Sequence, residues 1–166
     1  MELLISVLLI SAMLGALWTI FRTGLITFYG TEDRQNIFSQ TSNAFTVMTN
    51  ELHQATSITA ASGSAVTFIA DLNSDGVNET IQYTWSTTAG NPLNRVSGAQ
   101  TVALIRSINN PPPLSTTPVF HYYGANNTDL GTSPTLSSVR LIQIEVYTTS
   151  GSESFHLRTK VMLRCI

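Results

Sequence analysis

A short run of oxygen-bearing side chains forms the clearest metal-binding pattern in the chain. It follows the order D-x-N-x-D-G-x-x-E, and its candidate ligands are Asp71, Asn73, Asp75 and Glu79. Carboxylate and amide oxygens in this order open a calcium-binding loop. The twelfth position is Gln82, where an EF-hand has a bidentate Glu. A polar hairpin turn uses the same residue types without a metal, so calcium binding and a metal-free turn are both open interpretations.

The other reactive side chains do not form a catalytic pattern. His53, His121 and His156 fall in different segments without ligand spacing, and the chain has no HExxH motif, phosphate-binding loop or nucleophile elbow. We therefore expect no enzymatic activity and no cofactor other than calcium. A single cysteine, Cys165, cannot form an intrachain disulfide. It is interpreted as a structural cysteine, with an intermolecular bond or a lipid attachment as the alternatives.

The charge content limits the partners that the protein can have. Charged residues make up 11% of the 166 residues, against about 25% in an average soluble domain. The formal net charge of −2 provides no basic surface for nucleic acid. Low charge instead indicates a membrane segment, or a surface built from Ser, Thr, Asn and Gln.

The N-terminal segment has the composition of a membrane span. No charged residue occurs from Leu3 to Phe21, and Glu2 and Arg22 bracket this stretch. A helix that crosses the hydrocarbon core needs about 20 such residues, whereas the apolar region of a secretory signal has about 7–15. The pattern predicts a single helix that can cross a membrane.

A one-sided apolar stripe continues the helical pattern beyond Gly24 and Gly30. Its large members, expected to pack on a sheet, are Phe38, Phe45, Met48 and Leu52. One long helix explains both patterns. Residues 1–24 would lie in lipid or among similar helices, and residues 25–57 would form the amphipathic half. A tethered soluble domain would normally have a flexible linker at this point.

Residues 58–166 have the alternation and turn composition of strands. Val66–Ala70 and Glu79–Trp85 flank a polar turn and predict a hairpin. Further strands are predicted at Leu93–Val96, Val102–Ile108, Val119–Tyr123, Arg140–Tyr147 and Phe155–Arg164, with a long loop at Gly124–Ser138. The fold class is therefore α+β, with a long N-terminal helix covering an antiparallel sheet.

The first ten residues resemble the start of a type IV pilin. That family has a signature of Gly, Phe, Thr, Leu, any residue and Glu before an apolar helix, and here Met1 and Glu2 match its last two positions. The hairpin Val66–Trp85, Pro92–Arg95 and Val161–Arg164 are similar to PilW-like minor pilins and to J-type minor pseudopilins of type II secretion. The leader and the earlier signature residues are not part of this sequence.

The resemblance implies a structural role. The chain would be a minor pilin or pseudopilin, anchored by a single pass in the bacterial inner membrane with its C-terminal domain in the periplasm. It would later pack through its N-terminal helix against other subunits of a filament. Glu2 would neutralise the N-terminal amine of a neighbouring subunit during assembly. The alternatives are an acid placed there for the helix dipole, and a single-span periplasmic binding module that uses the Gly124–Ser138 loop and forms no filament.

Overall fold

A computed structural model describes residues 2–110, 118–150 and 153–164, and within these ranges every side chain except those of residues 2, 29–33, 150 and 153. A long helix, α1 (Glu2–His53), is followed by antiparallel strands, so the predicted α+β class is confirmed. The strands are β1 Ala55–Ala61, β2 Ala65–Ala70, β3 Glu79–Trp85, β4 Leu93–Ser97, β5 Gln100–Ile105, β6 Phe120–Tyr123, β7 Asp129–Gly131, β8 Leu141–Ser150 and β9 Glu153–Met162.

The chain divides into two compact units between Asn36 and Ile37. The first unit consists of the N-terminal part of α1, in which every described side chain from residue 3 to 28 is exposed. The second unit contains the rest of α1 and all the strands. This boundary lies between the ones expected from composition, at residues 24 and 57. Helical backbone continues past Phe21 without a break or a linker.

Within the second unit, one face of α1 packs into the hydrophobic core. Phe45 is 8% exposed, and Met48 and Leu52 are fully buried together with Thr41. Phe38 was expected in the same stripe, but its side chain is 54% exposed, so that expectation is wrong. The heptad spacing places Phe38 beside the stripe, but the buried face of the helix begins only at Thr41.

Two separate antiparallel sheets replace the single sheet expected from the sequence. The first sheet is a meander in the order β1-β2-β3-β4-β5, and the second has the order β7-β6-β8-β9. Alternate residues of the strands face the core, as in the set Val66, Phe68, Ala70, Ile81, Tyr83 and Trp85 and the set Ile142, Ile144 and Val146. A single apolar cluster includes these residues and the buried face of α1.

Close backbone contacts join the two sheets near the turn between β1 and β2. The Phe120 N–H donates to the carbonyl of Gly63 at 3.0 Å, and the Tyr122 hydroxyl donates to the carbonyl of Ser62 at 2.9 Å. A Cβ atom on Gly63 would lie 2.9 Å from the Cβ of Pro118, so only glycine permits this approach.

Two strands and two short 3-10 helices were missed by the sequence patterns. β1 begins at Ala55, where the amphipathic helix was expected to continue to residue 57. The predicted loop Gly124–Ser138 contains β7 and two 3-10 helices, Ala125–Asn127 and Leu136–Ser138. Both strands lie at sheet edges, and each pairs with a strand close in sequence, β1 with β2 and β7 with β6.

Candidate functional site

The surface of the N-terminal unit is predominantly apolar from Leu3 to Phe28. Residues Leu3–Phe28 form a helical stretch of 26 residues, long and apolar enough to cross a membrane. Its hydroxyl groups are bonded within the helix: Ser11 donates to the Leu8 carbonyl at 2.9 Å, and Thr23 to the Thr19 carbonyl at 2.9 Å. Internal bonding of this kind removes the cost of placing hydroxyl groups in lipid.

Glu2, the predicted assembly residue, is the first residue of α1. Its side chain lies outside the described part of the structure. A carboxylate at this end of a helix is favoured by the helix dipole. Cys165, at the other end of the chain, also lies outside the described residues.

A polar contact fixes the C-terminal end of α1 on the first sheet. Arg95 Nε lies 2.9 Å from both carboxylate oxygens of Glu51, and Arg95 Nη2 lies 2.9 Å from Glu51 Oε1. The Tyr83 hydroxyl donates to Glu51 Oε2. Glu51, Tyr83 and Arg95, here called the helix clamp, tie α1 to β3 and β4. The clamp lies beside the buried residues Met48 and Leu52.

The environment of the helix clamp changes its proton affinities. Burial raises the pKa of Tyr83 far above its ordinary value, and the hydrogen bond to the Glu51 carboxylate raises it further. The pKa of Arg95 is raised by its hydrogen bond to Glu51. The phenol and the guanidinium thus both remain protonated at neutral pH and act as donors to one carboxylate.

The sequence pattern missed the helix clamp because its members are far apart in the chain. Glu51 and Arg95 are separated by 44 residues, and Glu51 and Tyr83 by 32. One local signal was present, since a glutamate in the last turn of a helix opposes the helix dipole. An acid in that position indicates a cationic or hydrogen-bonding partner elsewhere in the fold.

The candidate calcium loop brings three of its four predicted ligands together. Carboxylate oxygens of Asp71, Asp75 and Glu79 all lie within 4.8 Å of one another. The fourth, Asn73, is bonded to Asp75: its Nδ2 donates to Asp75 Oδ2 at 2.8 Å, and its Oδ1 accepts the Asp75 N–H at 3.1 Å. These oxygen donors suit a hard cation such as calcium.

Backbone N–H groups also engage the same carboxylates. Asp71 accepts hydrogen bonds from the N–H groups of Asp75 and Gly76, and Glu79 accepts one from the N–H of Leu72 at 3.2 Å. Gly76 has a φ of +85°, which favours glycine. The loop is therefore organised by its own hydrogen bonds, and both interpretations drawn from the sequence are compatible with it.

The three histidines occupy separate places and do not form a common site. His53 is exposed in the last turn of α1. His121 Nε2 lies 2.7 Å from Asp129 Oδ1, whose pKa is lowered by the Gly131 N–H and the His121 ring. His156 Nε2 lies 2.9 Å from Glu145 Oε1. The latter two are surface histidines paired with carboxylates.

A cavity of about 430 Å³ borders the second sheet, where β8 begins and β9 ends. Its lining consists of the turn Gly124–Asn127 with Arg140, Leu141, Met162 and Leu163. In this turn, Asn126 and Asn127 have φ values of 56° and 60°. Asparagine adopts left-handed backbone in turns more readily than most non-glycine residues. Part of the loop predicted for ligand binding thus borders a cavity.

Comparison with known proteins gives no relative for this chain: it matches no protein-family model, no curated protein and no solved structure.

Proposed function

We propose that this protein is a minor subunit, a minor pilin or pseudopilin, of a type IV pilin-like filament, anchored by its N-terminal helix in the bacterial inner membrane before assembly. The observation that supports this most directly is the continuity of α1. The same helix has an apolar exposed segment, Leu3–Phe28, and a segment that packs into a folded domain, around Phe45–Leu52.

The exposed apolar surface of the first unit requires an apolar environment. Leu3, Leu8 and Trp18 are 82%, 67% and 65% exposed, and they belong to a larger exposed set along the whole segment. A contiguous apolar surface of this extent is covered by lipid or by other protein in a stable state. In this proposal, lipid covers the apolar surface before assembly, and neighbouring helices cover it in the filament.

The absence of a linker distinguishes this arrangement from a tethered domain. A flexible tether rich in Gly, Ser or Pro separates an anchor from its domain in most single-span proteins. Here α1 is helical from Glu2 to His53, and β1 begins at Ala55. This continuity, with no spacer within the described helix, supports the proposal of a pilin-like subunit.

In this proposal, Glu2 makes a charged contact between neighbouring subunits. A carboxylate beside an apolar stretch is costly to bury unless a cation or a donor pairs with it. The N-terminal amine of a neighbouring subunit would be that partner. Glu2→Ala is therefore expected to reduce incorporation into filaments while the sheet domain remains folded.

The test measures incorporation in the bacterium that makes the filament. Tagged wild type, Glu2→Ala and the matched control Asp129→Asn, which removes an exposed carboxylate from the sheet domain, are expressed at equal levels. Filaments are sheared off and the tagged chain is quantified in filament and membrane fractions. We expect loss from the filament fraction for Glu2→Ala only. Normal incorporation of Glu2→Ala contradicts the role of Glu2.

The second candidate is a single-span binding module, which the cavity bordered by Gly124–Asn127 favours. In that case the wild-type chain would stay in the membrane fraction and be absent from sheared filaments. The same fractionation therefore separates the two candidates: recovery of the wild type in filaments supports a subunit, and its exclusive recovery in membranes supports the binding module.

A further inference from the structure

β9 forms an open edge of the second sheet. It pairs with β8 over ten residues without a register shift, and among the described strands none pairs with its other side. The free side of an edge strand carries backbone N–H and C=O groups that are available to another strand. β9 therefore presents a long and regular template for strand addition.

The other sheet edges in the described part of the chain are less suited to pairing. β1 contains two register shifts, and the pairing of β5 with β4 contains one. β7 has only three residues and an irregular pairing with β6. Short or bulged edges hinder pairing with any strand, whereas charged side chains hinder pairing with strands that do not complement them. β9 is neither short nor bulged, and its protection consists of charges such as Arg158 and Lys160.

The core is incompletely covered along β9. On β8, the core-facing residues Ile142, Ile144 and Val146 are fully buried. On β9, Phe155 and Leu157 face the same side, yet they are only partly buried. An added strand with apolar residues at alternate positions would cover their exposed sides. Burial of this apolar area would contribute to binding beyond the backbone hydrogen bonds.

The opposite face of β9 is basic. His156, Arg158 and Lys160 occupy alternate positions and are exposed. Lys160 lies over the Tyr123 ring, with Nζ 4.1 Å from its centroid, and His156 is engaged by Glu145. Among the described residues Arg158 makes no ion pair, although its cross-strand neighbour on β8 is Glu145, which binds His156 instead. Cross-strand neighbours of opposite charge would stabilise a strand added here.

The same charges disfavour a second copy of this chain. In an antiparallel pairing of two β9 strands about Arg158, Arg158 would face its own counterpart. Like charges directly opposite one another on a sheet are destabilising. In this register the edge therefore favours an acidic strand over its own sequence.

We propose that the β9 edge, from Phe155 to Lys160, binds a partner protein by strand addition, and that the partner presents an extended segment with alternating acidic and apolar residues. The apolar side chains cover Phe155 and Leu157, and the acidic side chains lie beside Arg158 and Lys160. This inference is independent of the filament, because it depends only on the sheet edge.

The test uses the full chain in micelles of an uncharged detergent and two fluorescein-labelled, end-capped peptides. One peptide alternates Glu and Val, and the other alternates Lys and Val. Binding is measured by fluorescence anisotropy, with empty micelles as the blank, and amide hydrogen exchange locates the contact. We expect the Glu peptide to bind with an affinity that falls with salt, and to protect the amides of β9.

Charge variants make the test specific. Arg158→Glu is compared with Arg106→Glu, which makes the same charge change at an exposed position outside β9. We expect Arg158→Glu to weaken binding of the Glu peptide about tenfold, and Arg106→Glu to change it little. The double variant Arg158→Glu/Lys160→Glu should instead prefer the Lys peptide, a gain that a misfolded protein would not show.

Three results would overturn the proposal. The first is no binding of the Glu peptide, and the second is equal binding of both peptides by the wild type. The third is a dimer in the absence of peptide, with β9 amides protected from exchange, which would assign the edge to a second copy.

Discussion

Removing the Glu51 carboxylate tests whether the helix clamp holds α1 on the first sheet. Glu51→Ala leaves the Arg95 guanidinium and the Tyr83 hydroxyl without their shared acceptor. The side chains of Glu51 and Arg95 are 14% and 21% exposed, so water replaces the lost contacts only in part. We therefore expect the second unit to be clearly destabilised.

The magnitude follows from the bonds lost. A hydrogen bond to a charged group contributes about 1.5–3 kcal/mol, and Glu51 accepts such bonds from Arg95 and a further one from Tyr83. Two effects offset part of the loss: alanine is a better helix former, and an acid in the last helical turn opposes the dipole by about 0.3–1 kcal/mol. The expected decrease in the free energy of unfolding is about 2–3 kcal/mol.

The assay is guanidinium unfolding of the full chain in micelles, followed by the fluorescence of Trp85, which is 4% exposed. The chain has two tryptophans, so Trp18→Phe serves as the background for every variant. Asn50→Ala, an exposed neighbour on the same helix, is the matched control. It should change the free energy of unfolding by less than about 0.5 kcal/mol.

A double-mutant cycle separates the clamp from a general effect on the helix. Arg95→Met keeps much of the apolar stem and removes the charge. If Glu51 and Arg95 act together, the cycle gives a coupling free energy of about 1–2 kcal/mol. A coupling below about 0.5 kcal/mol, or a Glu51→Ala variant as stable as Asn50→Ala, would refute the reasoning.

Two further predictions concern pH and calcium. Burial raises the pKa of Tyr122 above its ordinary value of 10.0; its contribution to stability is thus present below about pH 10 and lost as the pH rises further, because the unfolded phenol ionises first. Melting temperatures between about pH 8 and 11 should fall less steeply for Tyr122→Phe, and an unchanged slope would contradict this. Calcium at a hundredfold excess over its Kd should stabilise the wild type by about 2.7 kcal/mol but not Asp75→Asn, with magnesium as the control. No shift for the wild type would leave the Asp71–Glu79 loop as a metal-free turn.

Local patterns were sufficient for much of the fold. The charge-free N-terminal stretch, the alternation in Val66–Ala70 and Glu79–Trp85, and the polar turn between them all depend on neighbours in sequence. The candidate calcium loop was found for the same reason, because its ligands lie within nine consecutive positions, from Asp71 to Glu79. The structure places three of its carboxylates close together.

The missed features depend on contacts that the local pattern does not show. Ala55–Ala61 mixes the β-branched residues Thr56, Ile58 and Thr59 with three alanines, and it forms a strand by pairing with Ala65–Ala70 in a hairpin. Phe38 continues the helical stripe by spacing, but the extent of the core is a tertiary property. Likewise, neither Glu51 nor Arg95 reveals its partner, since their contact is made only when α1 lies on the sheet.

The hydroxyl groups that bond within the N-terminal helix affect the energetic cost of moving this helix from one apolar environment to another. Because Ser11, Thr19 and Thr23 donate to carbonyls of their own helix, they require no partner from lipid and none from a neighbouring helix. Exchanging one apolar surrounding for another then breaks no hydrogen bond of these side chains. In the filament proposed above, transfer of this segment from lipid to neighbouring helices would therefore cost no hydrogen bond of these three side chains.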